Sequence, residues 1–109
     1  MALNVSSVDT VLANTAAVVA SSTALTQATI LKCSVVNTDT APHAITVYRV
    51  PLGNSPAVGY EIIQNAVVGA SATVVLPLAG QVLFGGQTLQ AMADTGSVVN
   101  FNISLATTP

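Results

Sequence analysis

Strict alternation of apolar and polar residues near the C-terminus is the feature that most constrains the fold of this chain. From residue 99 to 105 the sequence reads Val-Asn-Phe-Asn-Ile-Ser-Leu, so every second side chain is apolar. Because successive side chains of a strand point to opposite faces, this pattern predicts a strand with one buried and one polar face. The chain therefore has to build a sheet that covers a core on one side.

Shorter runs of β-branched and apolar residues recur upstream and are separated by residues that favour turns. Strands are predicted at 60–64, 73–76, 82–84 and 88–92, with turns at 69–71, 85–86 and 94–96. Seven or eight short strands predict an all-β fold, an antiparallel β-sandwich of the jelly-roll or immunoglobulin-like type, as a single domain over residues 1–109. No GxxxxGK or GxGxxG motif is present, which argues against an α/β enzyme.

The N-terminal segment is harder to interpret. Residues 1–7 are short, polar and aperiodic, and we interpret them as an assembly arm that is loose or docked on a neighbour. Residues 8–20 leave two alternatives: an Ala-rich helix that begins at Asp9, or one or two strands broken near Asn14 and Thr15. The strand alternative is favoured because Val and Thr lose side-chain freedom in a helix.

A β-hairpin is predicted in the middle of the chain, where the runs 30–36 and 44–50 flank a polar connection at 37–43. Alternation places Leu31, Cys33 and Val35 on its inner face, opposite Ile45 and Val47. The weakly polar outer face is our candidate for contacts in an assembly, and its residues are Ile30, Ser34, Val36, Thr46 and Tyr48.

Charge depletion points to such an assembly. Charged residues make up 6% of the chain, against about 25% in an ordinary soluble domain, and the net charge is -2. A surface with so few charges does little to keep copies apart. We therefore expect a homo-oligomer, a dimer or a trimer. Nucleic acid is not an expected partner, because Lys32 and Arg49 alone cannot make the many phosphate contacts that such binding needs.

The long uncharged segment at 62–93 raises the question of a membrane. Pro77, Gly80, Gly85 and Gly86 interrupt it, and no cluster of Lys or Arg flanks it. We expect neither a spanning helix nor a membrane partner. The first residues lack the basic and apolar regions of a secretory signal, so export is not expected either.

The residues that carry acid, base or metal chemistry are few and scattered. Asp39 and His43 share one loop and are close enough in sequence to meet, which we interpret as a turn-forming carboxylate beside a solvated imidazole. His43 is the single histidine and Cys33 the single cysteine, so neither a metal site nor a disulfide is expected. Cys33 is interpreted as a small buried hydrophobe. We expect no catalytic site, no cofactor and no enzymatic activity.

Three segments carry a resemblance to a known class of proteins. They are Ile30-Leu31-Lys32-Cys33-Ser34-Val35-Val36-Asn37-Thr38, Ala44-Ile45-Thr46-Val47-Tyr48-Arg49-Val50-Pro51 and Leu83-Phe84-Gly85-Gly86-Gln87-Thr88-Leu89-Gln90-Ala91. In their order the chain resembles small virion structural proteins of tailed bacteriophages over about three quarters of its length. The resemblance implies a β-sandwich that is assembled in the host cytoplasm and stabilises the capsid as a decoration or cement protein, with copies of itself and the major capsid protein as partners. The low charge and the extended start at residues 1–22 depart from that pattern.

A second role stays open at this point. The segment 51–59 holds two Pro and two Gly and is predicted to be the longest exposed loop. As a tail or head fibre component, the protein would bind a receptor or glycan through this loop, with Tyr48 or Tyr60 as a stacking surface. The candidate residues of the exposed loop are Pro51, Asn54, Pro56 and Tyr60.

Overall fold

The computed structural model describes residues 4–108, which form nine strands and one short 3-10 helix at Val58–Tyr60. The strands are β1 (Asn4–Val11), β2 (Ala17–Ser21), β3 (Gln27–Asn37), β4 (His43–Val50), β5 (Glu61–Val68), β6 (Thr73–Val75), β7 (Val82–Phe84), β8 (Thr88–Ala93) and β9 (Val99–Thr108). The break between β1 and β2 confirms two strands in the region where a helix was the alternative. The nine strands confirm an all-β fold.

Two antiparallel sheets pack face to face. Sheet A has the order β1, β9, β3, with β6 and β7 sharing the far side of β3. Sheet B has the order β2, β8, β4, β5. Strands β1 to β4 thus alternate between the sheets, which is the winding of a jelly roll, and β6 and β7 together take the place of one broken strand. The β-sandwich prediction is confirmed.

The prediction of a central hairpin formed by residues 30–36 and 44–50 was wrong. β3 pairs with β9, β6 and β7 in sheet A, whereas β4 pairs with β8 and β5 in sheet B. The five residues 38–42 therefore cross from one sheet to the other instead of reversing the chain within a sheet. Alternation fixes which face of a strand is buried, but the same pattern arises whether the next strand lies beside it or opposite it across the core.

A bulge in β3 also changes which residues are buried. The pairing of β3 with β9 shifts by one residue between Ile30 and Lys32. An extra residue reverses the two faces on one side of the bulge. As a result Ile30 is 1% exposed and Leu31 is 46% exposed, so the predicted faces of these two residues are interchanged, while Cys33 and Val35 are buried as expected.

The core lies between the sheets and is almost wholly apolar. The strand at 99–105 behaves as its alternation predicts, with its apolar side chains buried and its polar side chains half-buried. The largest fully buried side chains come from both sheets and from the loops that close the ends: Phe101, Leu12, Ile30, Ile45, Leu78, Leu83, Leu89 and Ile103.

The predicted N-terminal arm is a strand for residues 4–7, which form the first half of β1 and pair with residues 104–107 of β9. Residues 1–3 of that prediction lie outside the described residues. β1 is an edge strand, and all its side chains are exposed except that of Thr10, which is half-buried. In residues 4–108 no helix is long and apolar enough to cross a membrane.

Candidate functional site

The residues predicted to form one contact surface lie in three different environments. Ile30 is part of the core, and Thr46 is only 7% exposed, with its hydroxyl hydrogen-bonded to Asn65. Ser34 and Val36 are half-buried on the outer face of sheet A, whereas Tyr48 is half-buried on the outer face of sheet B. The prediction of a single contact face made of these five residues is therefore wrong, because it assumed that β3 and β4 form a hairpin. Contacts made separately by Ser34, Val36 or Tyr48 stay a prediction.

The long loop at 51–60 borders a cleft of about 310 Å³. The end of β4, the loop, the start of β5 and the turn before β8 supply its lining, which includes Arg49, Pro51, Tyr60, Glu61, Ile62 and Gln87. Pro51 and Tyr60 of the predicted loop thus line the cleft, while Asn54 holds Tyr60 in place with a hydrogen bond from its Nδ2 to the tyrosine hydroxyl (2.7 Å). Pro56 is half-buried in the loop.

A cation and an anion face this cleft without pairing with each other. Nη1 of Arg49 donates to Oε1 of Gln81 (2.9 Å), and within residues 4–108 the only ion pairs involve His43. Arg49 and Glu61 therefore keep hydrogen-bonding groups for a ligand. Neutral, hydroxyl-rich molecules match such a mixture of donor, acceptor and aromatic side chain.

Large apolar side chains are exposed at the same end of the sandwich, on two loops, on the 3-10 helix and on the last residue of β7. Leu25, Leu52, Val58 and Phe84 are between 59% and 87% exposed. The loops are tied together, because the backbone N–H of Gly86 donates to the carbonyl of Thr23 (3.1 Å) and the side chain of Leu52 lies against Gly86. We call these four side chains the apolar tip. Isolated exposed apolar residues are normal, but several at one end of a domain indicate a contact surface.

The opposite end carries the most concentrated group of titratable residues. His43 begins β4, and its side chain is 10% exposed. Its Nε2 lies 2.7 Å from Oδ2 of Asp39, and its Nδ1 lies 2.7 Å from Oδ1 of Asp94. Oδ2 of Asp94 also accepts the backbone N–H of Ala44 (3.0 Å). The predicted approach of Asp39 to His43 is thus present, but the prediction of a solvated imidazole is wrong, because the ring is buried and a second carboxylate joins it.

Hydrogen bonds set the pKa values of this group. The bond to Asp39 raises the pKa of His43, and the bond to Asp94 adds to the rise while burial opposes it. The hydrogen bond from His43 lowers the pKa of Asp39. The pKa of Asp94 is lowered mainly by the hydrogen bond from the backbone N–H of Ala44, and the bond from His43 lowers it further. Both ring nitrogens donate when the imidazole is protonated, so the cluster stabilises His43 as a cation.

This geometry suits a structural tie better than a catalytic base. A nucleophile needs a free ring nitrogen nearby, and both nitrogens of His43 already face carboxylates. No group of three or more His, Cys, Asp or Glu residues suited to a metal ion occurs within residues 4–108. Burial raises the pKa of the Cys33 thiol to about 12, which keeps it protonated and unreactive at neutral pH.

Three features of these sites were not predicted from the sequence: Asp94, Gln87 and the apolar tip. Asp94 is 51 residues from His43, and the antiparallel pairing of β4 with β8, which sets Ile45 opposite Ala93, brings it close. Gln87 reaches the cleft from the turn before β8. For the apolar tip, the sequence offered a signal at Leu52, which stands in the predicted loop at 51–59, where a large apolar residue has no strand face to fill.

Comparisons with known proteins give one similarity. No family model matches the chain, and no curated protein matches it. Among solved structures, the chain is similar to a protein of Bacillus endospore appendages, which were described as a novel family of disulfide-linked pili. The TM-score is 0.55 at 13% sequence identity, and the match covers 97% of this chain and 84% of that one. At this identity the likeness concerns the fold alone.

Proposed function

We propose that this chain is a non-enzymatic structural protein of a phage virion, which stabilises the capsid as a decoration protein through contacts with copies of itself and with the shell. The observation that carries the proposal is the apolar tip. It exposes four large side chains, Leu25 by as much as 87%, on a protein whose charged residues are 6% of the sequence. Such a surface favours burial against another protein over solvation.

The location on a virion comes from the resemblance carried by residues 30–38, 44–51 and 83–91. The fold is compatible with that role, because a jelly roll presents loops at both ends and sheets on both sides for contacts. The pilus protein that shares the fold also belongs to an assembly, and that assembly is described as disulfide-linked. Cys33 is buried in this chain, so its contacts would have to be non-covalent.

Particle binding tests the proposal. Purified protein is mixed with particles of the phage that encodes it, prepared without this chain, and the bound fraction is measured by co-sedimentation. We expect saturable binding by the wild type. Leu25→Lys adds a charge to the apolar tip and should weaken binding at least about tenfold, since burying an unpaired ammonium in an interface is unfavourable.

Ala41→Lys is the matched control, because it adds the same charge on an exposed residue at the opposite end. Both variants should keep the wild-type melting temperature, since neither position is buried. Equal binding by Leu25→Lys and wild type would remove the apolar tip from the contact. Absence of wild-type binding to the particles would refute the decoration role.

The cleft favours a second candidate function, that of a fibre component with a glycan-binding loop. Tyr60, Arg49 and Glu61 offer an aromatic surface, donors and an acceptor around one cavity. Sugars are bound in proteins by this combination of stacking and directional hydrogen bonds. Tyr48 does not line this cleft, and its hydroxyl donates to Sδ of Met92 (3.5 Å).

A glycan array separates the two candidates. Under the second one the wild type binds a defined set of glycans, Tyr60→Ala loses the signal and Tyr48→Ala keeps it. An array without signal, or a signal that both variants lose equally, would rule out binding through the cleft.

A further inference from the structure

The outer edge of β1 pairs with no other strand within residues 4–108 and forms a long row of free backbone groups. β1 pairs with β9 over eight consecutive residues without a register shift. The backbone N–H of Leu12 donates to the carbonyl of Val99 (2.8 Å), in the same register. Because bonding in an antiparallel pair alternates from residue to residue, positions 4, 6, 8 and 10 bond to β9 and positions 5, 7, 9 and 11 direct their N–H and C=O groups outward.

The other sheet edges of the described chain are interrupted, and this one is not. β6 and β7 have three residues each. β2 carries a register shift between Val18 and Ala20, and the pairing of β5 with β4 shifts twice. Short edges and bulges discourage pairing with another chain. β1 has eight residues and no bulge, Pro or Lys, and every residue of it except Thr10 is exposed.

The sequence of this strand is chemically palindromic about Val8. Residues 5–11 read Val-Ser-Ser-Val-Asp-Thr-Val. In an antiparallel pair of two such strands centred on Val8, each apolar residue meets an apolar one and each polar residue a polar one. The facing pairs are Val5 with Val11, Ser6 with Thr10, Ser7 with Asp9, and Val8 with Val8 of the second copy. The Ser7 hydroxyl is then placed to donate to the Asp9 carboxylate.

We infer that β1 is a two-fold interface at which a second copy of this chain adds its own β1, joining the two A sheets into one continuous sheet. This inference specifies how two copies contact each other in the proposed assembly, and it rests on the proposed function only in that the protein self-associates. A two-fold axis pairs the β1 edge of one copy with the β1 edge of the other, so both edges are used and the assembly closes as a dimer. The apolar tips of both copies stay free for a further partner.

Neighbouring registers are less favourable for identifiable reasons. Centring the pair on Asp9 sets two carboxylates directly opposite each other, which is repulsive. Centring it on Ser7 faces Val5 with Asp9 and shortens the overlap. In the Val8 register the two Asp9 side chains are only diagonal neighbours across the strands, so their repulsion is weaker and is screened by salt.

Disulfide trapping tests both the interface and its register. In the inferred dimer the two Val8 residues form a directly opposed pair that is not hydrogen-bonded, with Cα atoms about 4.5 Å apart, which a disulfide can bridge. Val8→Cys should therefore form a covalent dimer under oxidised glutathione. Ser6→Cys is the matched control on the same face. Its counterpart lies four residues along the strand, about 13 Å away, so it should stay monomeric on a non-reducing gel.

Ser7→Pro supplies a second measurement. Its N–H points outward and bonds nothing in β9, so proline should leave the fold and melting temperature intact while it abolishes the wild-type dimer in sedimentation velocity. Cross-linking of Ser6→Cys as strongly as Val8→Cys, or an unchanged dimer in Ser7→Pro, would overturn the inference. A trapped Val8→Cys dimer that fails to bind particles would leave the inference standing and count against the decoration role instead.

Discussion

Replacement of Asn37 by Ala probes the crossing from sheet A to sheet B. Asn37 ends β3 and is completely buried. Its Nδ2 group donates to the carbonyls of Ala41 (2.9 Å), Val68 (3.2 Å) and Gly69 (3.2 Å), and its Oδ1 accepts the N–H of Asp39 (3.0 Å). One side chain thus holds the crossing segment and the turn after β5 in place. These bonds decide where the chain leaves sheet A.

The expected loss follows from those bonds. Two amide hydrogens contribute about 1 kcal/mol each, and the unpaired N–H of Asp39 adds about 1 kcal/mol, so Asn37→Ala should lower the free energy of unfolding by about 3 kcal/mol. That corresponds to a melting temperature lower by about 12 °C. Asn37→Asp should cost more at neutral pH, because a carboxylate then faces three carbonyl oxygens, and less in acid, where the protonated group donates one hydrogen.

Urea unfolding followed by circular dichroism measures this. Thr38→Ala is the matched control, because it removes one exposed hydrogen bond to the carbonyl of Val98 (2.8 Å) and should cost less than about 1 kcal/mol. Equal losses in Asn37→Ala and Thr38→Ala would refute the reasoning. So would a loss that Asn37→Asp does not exceed at neutral pH.

Three further predictions concern other parts of the molecule. The pKa of His43 is raised and the pKa values of its two carboxylate partners are lowered, so stability should be greatest between their ordinary pKa values of 3.8 and 6.5. Stability should fall as pH rises through the raised histidine pKa and as pH drops through the lowered carboxylate pKa values. Melting curves of His43→Gln should lack the fall at alkaline pH. Gly86→Ala should cost about 1 to 2 kcal/mol, since φ is +83° and the new Cβ would meet Leu52 at 3.0 Å, whereas Gly59→Ala should be neutral in the same unfolding assay. Cys33 should resist iodoacetamide in the folded protein and react in urea, as read by intact mass; rapid labelling of the native protein would contradict its burial.

The strands could be predicted from the sequence because their signal is local. Val99, Phe101, Ile103 and Leu105 are all buried, as alternation requires. The pairing of the strands could not be predicted in this way, because it depends on contacts between distant residues. Alternation within β3 and β4 was nearly the same as in a hairpin, and nothing local indicated that Asn37 would bond to residues 68 and 69.

The candidate sites divide in the same way. The approach of Asp39 to His43 was predictable from four residues of separation, while the contribution of Asp94 depends on the pairing of β4 with the distant β8. The interchange of Ile30 and Leu31 depends on one bulge, which no local residue pattern marks. The palindrome of β1 was readable in the sequence, but its significance depends on β1 being an edge strand, which follows only from the strand order of sheet A.

Self-association of the purified protein shows whether β1 is an interface between two copies of the chain. Sedimentation equilibrium over a wide concentration range gives the mass of the particle in solution without any assumption about its partner. We expect a reversible dimer whose population increases with concentration and which Ser7→Pro abolishes. A wild-type protein that stays monomeric at its highest soluble concentration would contradict it.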